Sequence, residues 1–199
     1  MSCENCICHL DPMGICQHAR AKLNKRKTKV LFVDVDDTLI YWFPHYIQWL
    51  FKKHFELGID LDTHDVLKMV QPEMYMDFNL SIEFVENRKV ITPIFKFVKN
   101  CHFKGVEIVF VSSCGRRAER NQKLALQNVF EHSDVSYSLV VFDTSKEKID
   151  YINNIMTKQN IDAMLLDDKR ETCEAVECIA TDSKNLEELT NLAHIALNI

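Results

Sequence analysis

Three aspartates and a threonine, Asp34, Asp36, Asp37 and Thr38, stand together directly after the apolar run Val30-Leu31-Phe32-Val33. Carboxylates this close repel one another unless a proton or a cation sits between them. A hard divalent ion with oxygen ligands, most simply Mg²⁺, answers that repulsion. The apolar run reads as a buried strand of a parallel sheet. In open α/β sheets, ligands bind just beyond the carboxyl ends of such strands. Asp34 and Asp36 are therefore expected in one crevice, with Asp37 and Thr38 in the turn beside them.

An Asp-x-Asp-x-Thr pattern after an apolar strand resembles the first motif of the haloacid dehalogenase (HAD) superfamily. The resemblance implies that Asp34 is a covalent nucleophile and Asp36 a general acid and base, with Thr38 orienting Asp36 beside the phosphate. Three further stretches follow in the superfamily's order. The strand-like run Val106–Val111 ends in Ser112-Ser113-Cys114-Gly115-Arg116-Arg117. By resemblance Ser112 is the second motif, its hydroxyl and the following N–H groups holding a phosphoryl oxygen. Ser113 stands beside it, and Arg116 or Arg117 adds a fork-shaped donor suited to phosphate. The third motif is a Lys near a helix start, after the strand Tyr137–Phe142. Lys146 is the choice, one turn ahead of Ile149, Ile152 and Ile155, and Lys148 is the competing candidate. The fourth is the acidic pair Asp167-Asp168, which closes the apolar stretch Ala163–Leu166. The resemblance implies that Asp168 binds Mg²⁺ together with Asp34 and the Asp36 carbonyl oxygen, with Asp167 in support.

The order of the elements also bounds the fold. Strand-like and helix-like segments alternate, which implies an α/β, three-layer, Rossmann-like core with a parallel sheet. The core is expected over residues 29–40 and 91–199. A small all-helical cap inserted after the first strand occupies residues 41–90. In the cap, Tyr46, Ile47, Leu50, Phe51 and Leu57 fall at helical spacing, with Pro44 in the first turn and Gly58 at the end. Asp62 or Thr63 caps a second helix reaching Val70, and a third covers about Leu80–Arg88. The last strand is expected at Ala175–Ala180.

Residues 1–28 form a separate segment rich in cysteine, histidine and basic residues. Cys3, Cys6, Cys16 and His18 could close one tetrahedral zinc site, with Cys8 or His9 as substitutes. Residues 20–29 carry Arg20, Lys22, Lys25, Arg26, Lys27 and Lys29 without an acidic residue. They form either a solvated linker or a patch that contacts nucleic-acid phosphates.

The chain of 199 residues is 47% hydrophobic, with a net charge of −5, so nothing global marks it as a nucleic-acid coat or a membrane-surface protein. No apolar run suits a signal peptide or a bilayer span, and a cytoplasmic location is expected. The activity implied is Mg²⁺-dependent hydrolysis of a phosphomonoester through an aspartyl-phosphate. Two relatives suggest the substrate. The helical cap, opening on Tyr41, Trp42, Phe43 and His45, resembles that of the 5′(3′)-deoxyribonucleotidases, where cap aromatics stack a base. Ser112–Arg116 and Leu166–Arg170 resemble the 3′-phosphatase half of phage-type polynucleotide kinase/phosphatases. The expected substrate is a nucleotide. The alternatives are a 3′-phosphorylated DNA or RNA end and a non-catalytic binding module anchored by zinc.

Overall fold

The computed structural model describes residues 27–56, 58, 72–86, 89–182 and 186–198. Its centre is β1 (Thr28–Asp34), the apolar run itself. The chain then crosses to β2 (Glu107–Ser112), β3 (Tyr137–Val141), β4 (Ile161–Asp167) and β5 (Ile179–Asp182). The sheet order is β3-β2-β1-β4-β5, and every pairing is parallel. The strand order reverses between β1 and β4, and a doubly wound sheet offers its binding crevice at that point. Asp34 ends β1 and Asp167 ends β4, so the sequence's two acidic strand ends become neighbours there.

Strand alternation explains why the middle of β1, Val30–Val33, is apolar at every position. Leu31 and Val33 face one layer with Ile108, Phe110, Met164 and Leu166. That layer is covered by α4 (Thr92–Phe103), α5 (Glu119–Phe130) and α8 (Leu186–Leu197). Val30 and Phe32 face the other, with Val109, Val111 and Leu165 against Ile152 of α6 (Ser145–Lys158). Both faces are buried, so neither phase of the alternation is free to be polar.

Between β1 and α4 stand α1 (Phe43–Glu56), α2 (Pro72–Asn79) and α3 (Ile82–Glu86). Tyr46, Trp49, Leu50, Phe78 and Phe84 pack them around one aromatic core, which rests on Ala125 of α5. Asn121 of α5 donates to the Asn79 and Ser81 carbonyls, and Asn128 donates to that of Val85. The two connections to this unit run side by side. Tyr41 N–H donates to the Lys89 carbonyl, and Ile91 N–H donates to that of Leu39.

The boundaries differ from expectation in two places. The helical piece expected at about Leu80–Arg88 is the short helix Ile82–Glu86, and a further helix that was not expected, Pro72–Asn79, precedes it. Pro72 opens that helix, as its fixed φ and missing N–H allow. Ser81 breaks the run and its Oγ accepts the Phe84 N–H. At the far end, Arg170–Ala175 is helix α7, held in part by the Arg170–Glu174 pair. The last strand therefore starts at Ile179, not Ala175. The helix expected to reach Val70 lies outside the described residues, as do Cys3, Cys6, Cys8, His9, Cys16 and His18. No helix among the described residues is long and apolar enough to cross a membrane.

Candidate active site

β1 delivers Asp34 to the crevice, and the chain then makes a tight turn. Leu39 and Ile40 N–H groups both donate to the Val35 carbonyl, and the Asp37 N–H donates to the Ile40 carbonyl. Asp37 takes a left-handed φ of 60°. Aspartate accepts that conformation better than most residues when its side chain bonds the local backbone. Here Asp37 Oδ1 receives the Trp42 N–H at 2.8 Å and the Phe43 N–H at 3.0 Å. Asp37 thus caps α1 with a carboxylate at the positive end of the helix.

Asp34 is buried, and Lys148 Nζ stands 2.7 Å from its Oδ1 and 2.7 Å from Asp167 Oδ2. One ammonium is shared by two carboxylates at the sheet's switch point. Asp168 completes the group: carboxylate oxygens of Asp34, Asp167 and Asp168 all lie within 4.8 Å of one another. Burial pushes the Asp34 carboxyl well above the ordinary carboxylate range. Asp167 and Asp36 add to that shift, and Lys148 offsets only part of it. Burial would pull the Lys148 ammonium down, but the charges of Asp34 and Asp167 outweigh it and raise its pKa. Asp168 is raised by its own burial and by Asp167. The cluster carries more negative charge than its lysine neutralises, in an all-oxygen donor set. Those are the properties of a site for a hard divalent cation.

The lysine is Lys148, not Lys146. Lys146 is exposed on α6, whereas Lys148 is fully buried. Thr144 caps the helix by accepting the Glu147 N–H, and this puts position 148 on the inner face with Ile152. Ser112 also differs from expectation. It is fully buried and absent from the cavity wall, where Ser113, Cys114 and Gly115 stand instead. Ser112 Oγ accepts the Cys114 N–H and the Gln122 side-chain amide, and donates to Asp36 Oδ2, each at 3.3 Å. Gln122 Nε2 reaches Asp36 Oδ2 directly as well, at 3.3 Å. Ser112 therefore contacts Asp36 from the core side, and Gln122 shares that contact.

Thr38 is fully buried and stands off the cavity wall, and its Oγ1 has no hydrogen-bond partner among the described residues, so the expected bond from its hydroxyl to Asp36 is not formed here. Arg116 is also committed elsewhere. Its guanidinium bridges Asp143 at 2.6 Å and Glu147 at 2.8 Å, tying the loop after β2 to the start of α6. Asp143 comes from the connection between β3 and α6 and Glu147 from the first turn of α6, and Arg116 is not on the cavity wall.

The cavity has a volume of about 430 Å³, within the range of small-molecule sites. Its floor is Asp34, Asp36 and Asp168, and its roof is Trp42, Tyr75 and Met76. Gly115, at φ 91°, lets the roof approach the loop closely, since a Cβ there would lie 2.5 Å from Met76 Cε. Trp42 is the only one of the four expected base-stacking residues on the cavity wall. Its ring stacks on Tyr46 at 4.9 Å, and its Nε1 donates to Asn79 Oδ1. Tyr41 and Phe43 are half exposed away from the cavity, and His45 lines a separate depression with Trp49 and Lys52. Asn79 in turn donates to the Cys114 carbonyl, joining roof and floor.

No family model matches the chain, and no curated protein matches it by sequence. Among solved structures it is similar to a hydrolase from Streptococcus pneumoniae TIGR4, with 15% identity and a TM-score of 0.52. That match covers 83% of this chain and 99% of the other. It is also similar to the HAD-hydrolase YfnB from Bacillus subtilis, in a form bound to magnesium. There the identity is 15% and the TM-score 0.49, over 87% of this chain and 100% of that one. At such identities the likeness is one of architecture. The chain has the α/β fold of the Streptococcus pneumoniae hydrolase, with its acidic cluster at the switch point of the sheet.

Proposed function

We propose that this protein is a HAD-type phosphatase that hydrolyses a phosphomonoester through an aspartyl-phosphate on Asp34. The observation that carries the reading is the shared lysine. Lys148 fixes the Asp34 carboxylate at the cavity floor, one residue short of a turn that brings Asp36 to the same cavity. In that arrangement an Asp34 oxygen attacks phosphorus in line, and the bond to the leaving oxygen breaks with its electron pair retained on oxygen. Asp36 gives that oxygen its proton. Asp36 then takes a proton from a water that attacks the phosphorus and returns Asp34 as carboxylate. Ser113 and the backbone of the Ser113–Gly115 loop supply donors for the phosphoryl oxygens.

The residues fit Mg²⁺, which Asp34, Asp168 and the Asp36 carbonyl oxygen would hold, with Asp167 oriented beneath by Lys148 and the Lys169 N–H. Bound there, the ion would offset negative charge on the phosphoryl group. A measurable consequence concerns stability. Folded Asp34 keeps a proton that the unfolded chain releases near its ordinary pKa of about 4. The metal-free protein should therefore lose stability as pH rises from about 4 to about 8, the value Asp34 reaches in the fold. Thermal melts should show Mg²⁺ raising Tm more at pH 8 than at pH 5, and Asp168→Asn should remove most of that increment. A Tm indifferent to Mg²⁺ at both pH values would contradict the metal assignment.

The substrate we infer is a nucleoside monophosphate, with Trp42 and Tyr75 against the base. Support comes from the aromatic roof and from a volume suited to one small molecule. The two described lysines of the basic run, Lys27 and Lys29, are engaged away from the cavity. Lys27 pairs with Asp162, and Lys29 donates to the Asn198 carbonyl. Both lie at the start of β1, roughly 16 Å or more along the strand from Asp34 at about 3.3 Å per residue. The test is Mg²⁺-dependent phosphate release from deoxynucleoside monophosphates and from a 3′-phosphorylated oligonucleotide, side by side. The monophosphates should be preferred. Preference for the oligonucleotide would overturn the substrate, and release from neither would overturn the nucleotide reading.

A further inference from the structure

Gln122 occupies a position that packing alone would give to an aliphatic residue. It lies on the inner face of α5 with Ala125 and Leu126, and none of its surface is exposed. Burying an amide costs free energy unless its hydrogen bonds are made. Its Nε2 makes them toward two atoms, Asp36 Oδ2 and Ser112 Oγ, both at 3.3 Å. These are moderate bonds of the kind that tighten when substrate is bound.

The direction of the network follows from the serine. Ser112 Oγ accepts from both the Cys114 N–H and Gln122 Nε2, which leaves its single hydrogen to point at Asp36 Oδ2. Asp36 Oδ2 thus faces two donors from the core side. An oxygen that faces two donors is a poor place for a proton, so a proton carried by Asp36 belongs on Oδ1. The carboxyl is also held at a fixed rotation, with Asp36 on the cavity wall.

We propose that Gln122 is a positioning residue for the reaction. Acting directly and through Ser112, it anchors Asp36 by Oδ2 so that Oδ1 presents the proton to the leaving oxygen. The inference rests on the phosphatase reading of Asp34 and Asp36. It assigns a part in the chemistry to a side chain that contacts neither substrate nor metal.

The test separates proton delivery from packing. Gln122→Met keeps the length and volume and removes the N–H donors, and Ser112→Ala breaks the same network at its other member. Each is compared with wild type on two esters. One is p-nitrophenyl phosphate, whose leaving group departs without a proton, and the other is a nucleoside monophosphate, whose alkoxide needs one. The comparison uses kcat/KM, which reports transfer onto Asp34 alone. Both variants should lose about 10²-fold or more on the nucleotide and less than about threefold on the aryl ester. Equal losses on both esters, or no loss on the nucleotide, would overturn the positioning role while leaving the phosphatase intact. A wild type inactive on both esters would overturn the phosphatase reading itself, and this proposal with it. Should Gln122→Met fail to fold, Ser112→Ala gives the same discrimination.

Discussion

Asp34→Asn is expected to lower phosphate release by about 10⁴-fold or more, because an amide cannot attack phosphorus. Its effect on the fold should be opposite in kind. The carboxylate is buried, and its charge is disfavoured by burial and by Asp167 and Asp36. Removing it leaves Lys148 paired with Asp167 at 2.7 Å, one positive charge against one negative. The variant's Tm should therefore match or exceed that of the wild type in metal-free buffer. Initial rates and a thermal melt on one preparation check both halves. A variant that retained Mg²⁺-dependent turnover would remove Asp34 from the nucleophile's role.

Lys148→Met should damage activity and stability together. The side chain is fully buried between Asp34 and Asp167, and its loss leaves the buried Asp167 carboxylate without its counter-charge. Removing one partner from a buried ion pair costs about 3–5 kcal/mol. For a chain of this size that corresponds to a fall in Tm of roughly 10 °C. Turnover should fall by about 10³-fold or more, since the nucleophile loses its anchor and the phosphoryl group loses nearby positive charge. Lys146→Ala, on the exposed side of the same helix, should change neither quantity. Full stability in Lys148→Met would show that the carboxylates are balanced by something else.

The frame of the site was legible because its parts are local. Val30–Val33 and Ala163–Leu166 are continuous apolar runs, the pattern of strands buried on both faces, and each leads into an acidic end. The neighbouring of Asp34 and Asp167 follows from the β1–β4 pairing, which the alternation of strands and helices left open because it sets a parallel sheet and not the order of its strands. The choice between Lys146 and Lys148 turned on the phase of one helix. Two residues are a rotation of about 200°, and the inner face of α6 runs through Lys148 and Ile152. The spacing of four between them was visible, but Ile149 and Ile155 blurred the stripe.

Ser112 offered a similar signal through strand alternation. It shares a face with Ile108 and Phe110, toward α5, so its hydroxyl meets Gln122 rather than the cavity. Gln122 itself could not be found from sequence. Its partner Asp36 lies 86 residues away, and a glutamine on a helix is ordinarily a surface residue. Arg116 was a fair candidate by type. Its fate was decided by Asp143 and Glu147, which the sheet brings alongside only in the folded chain. The roof follows the same logic. Of its opening aromatics only Trp42 turns to the cavity, because Asp37 fixes where α1 begins.

The central claim is that phosphate passes through Asp34, and the acyl phosphate itself can be trapped. The enzyme would be mixed with its best monophosphate substrate and Mg²⁺, acid-quenched during turnover, and reduced with borohydride. Reduction converts an aspartyl-phosphate to homoserine and leaves a free aspartate unchanged. Peptide mapping should find homoserine at position 34 and at no other aspartate, with none in the absence of substrate. Turnover without homoserine at position 34, or homoserine at Asp36, Asp167 or Asp168 instead, would contradict the account.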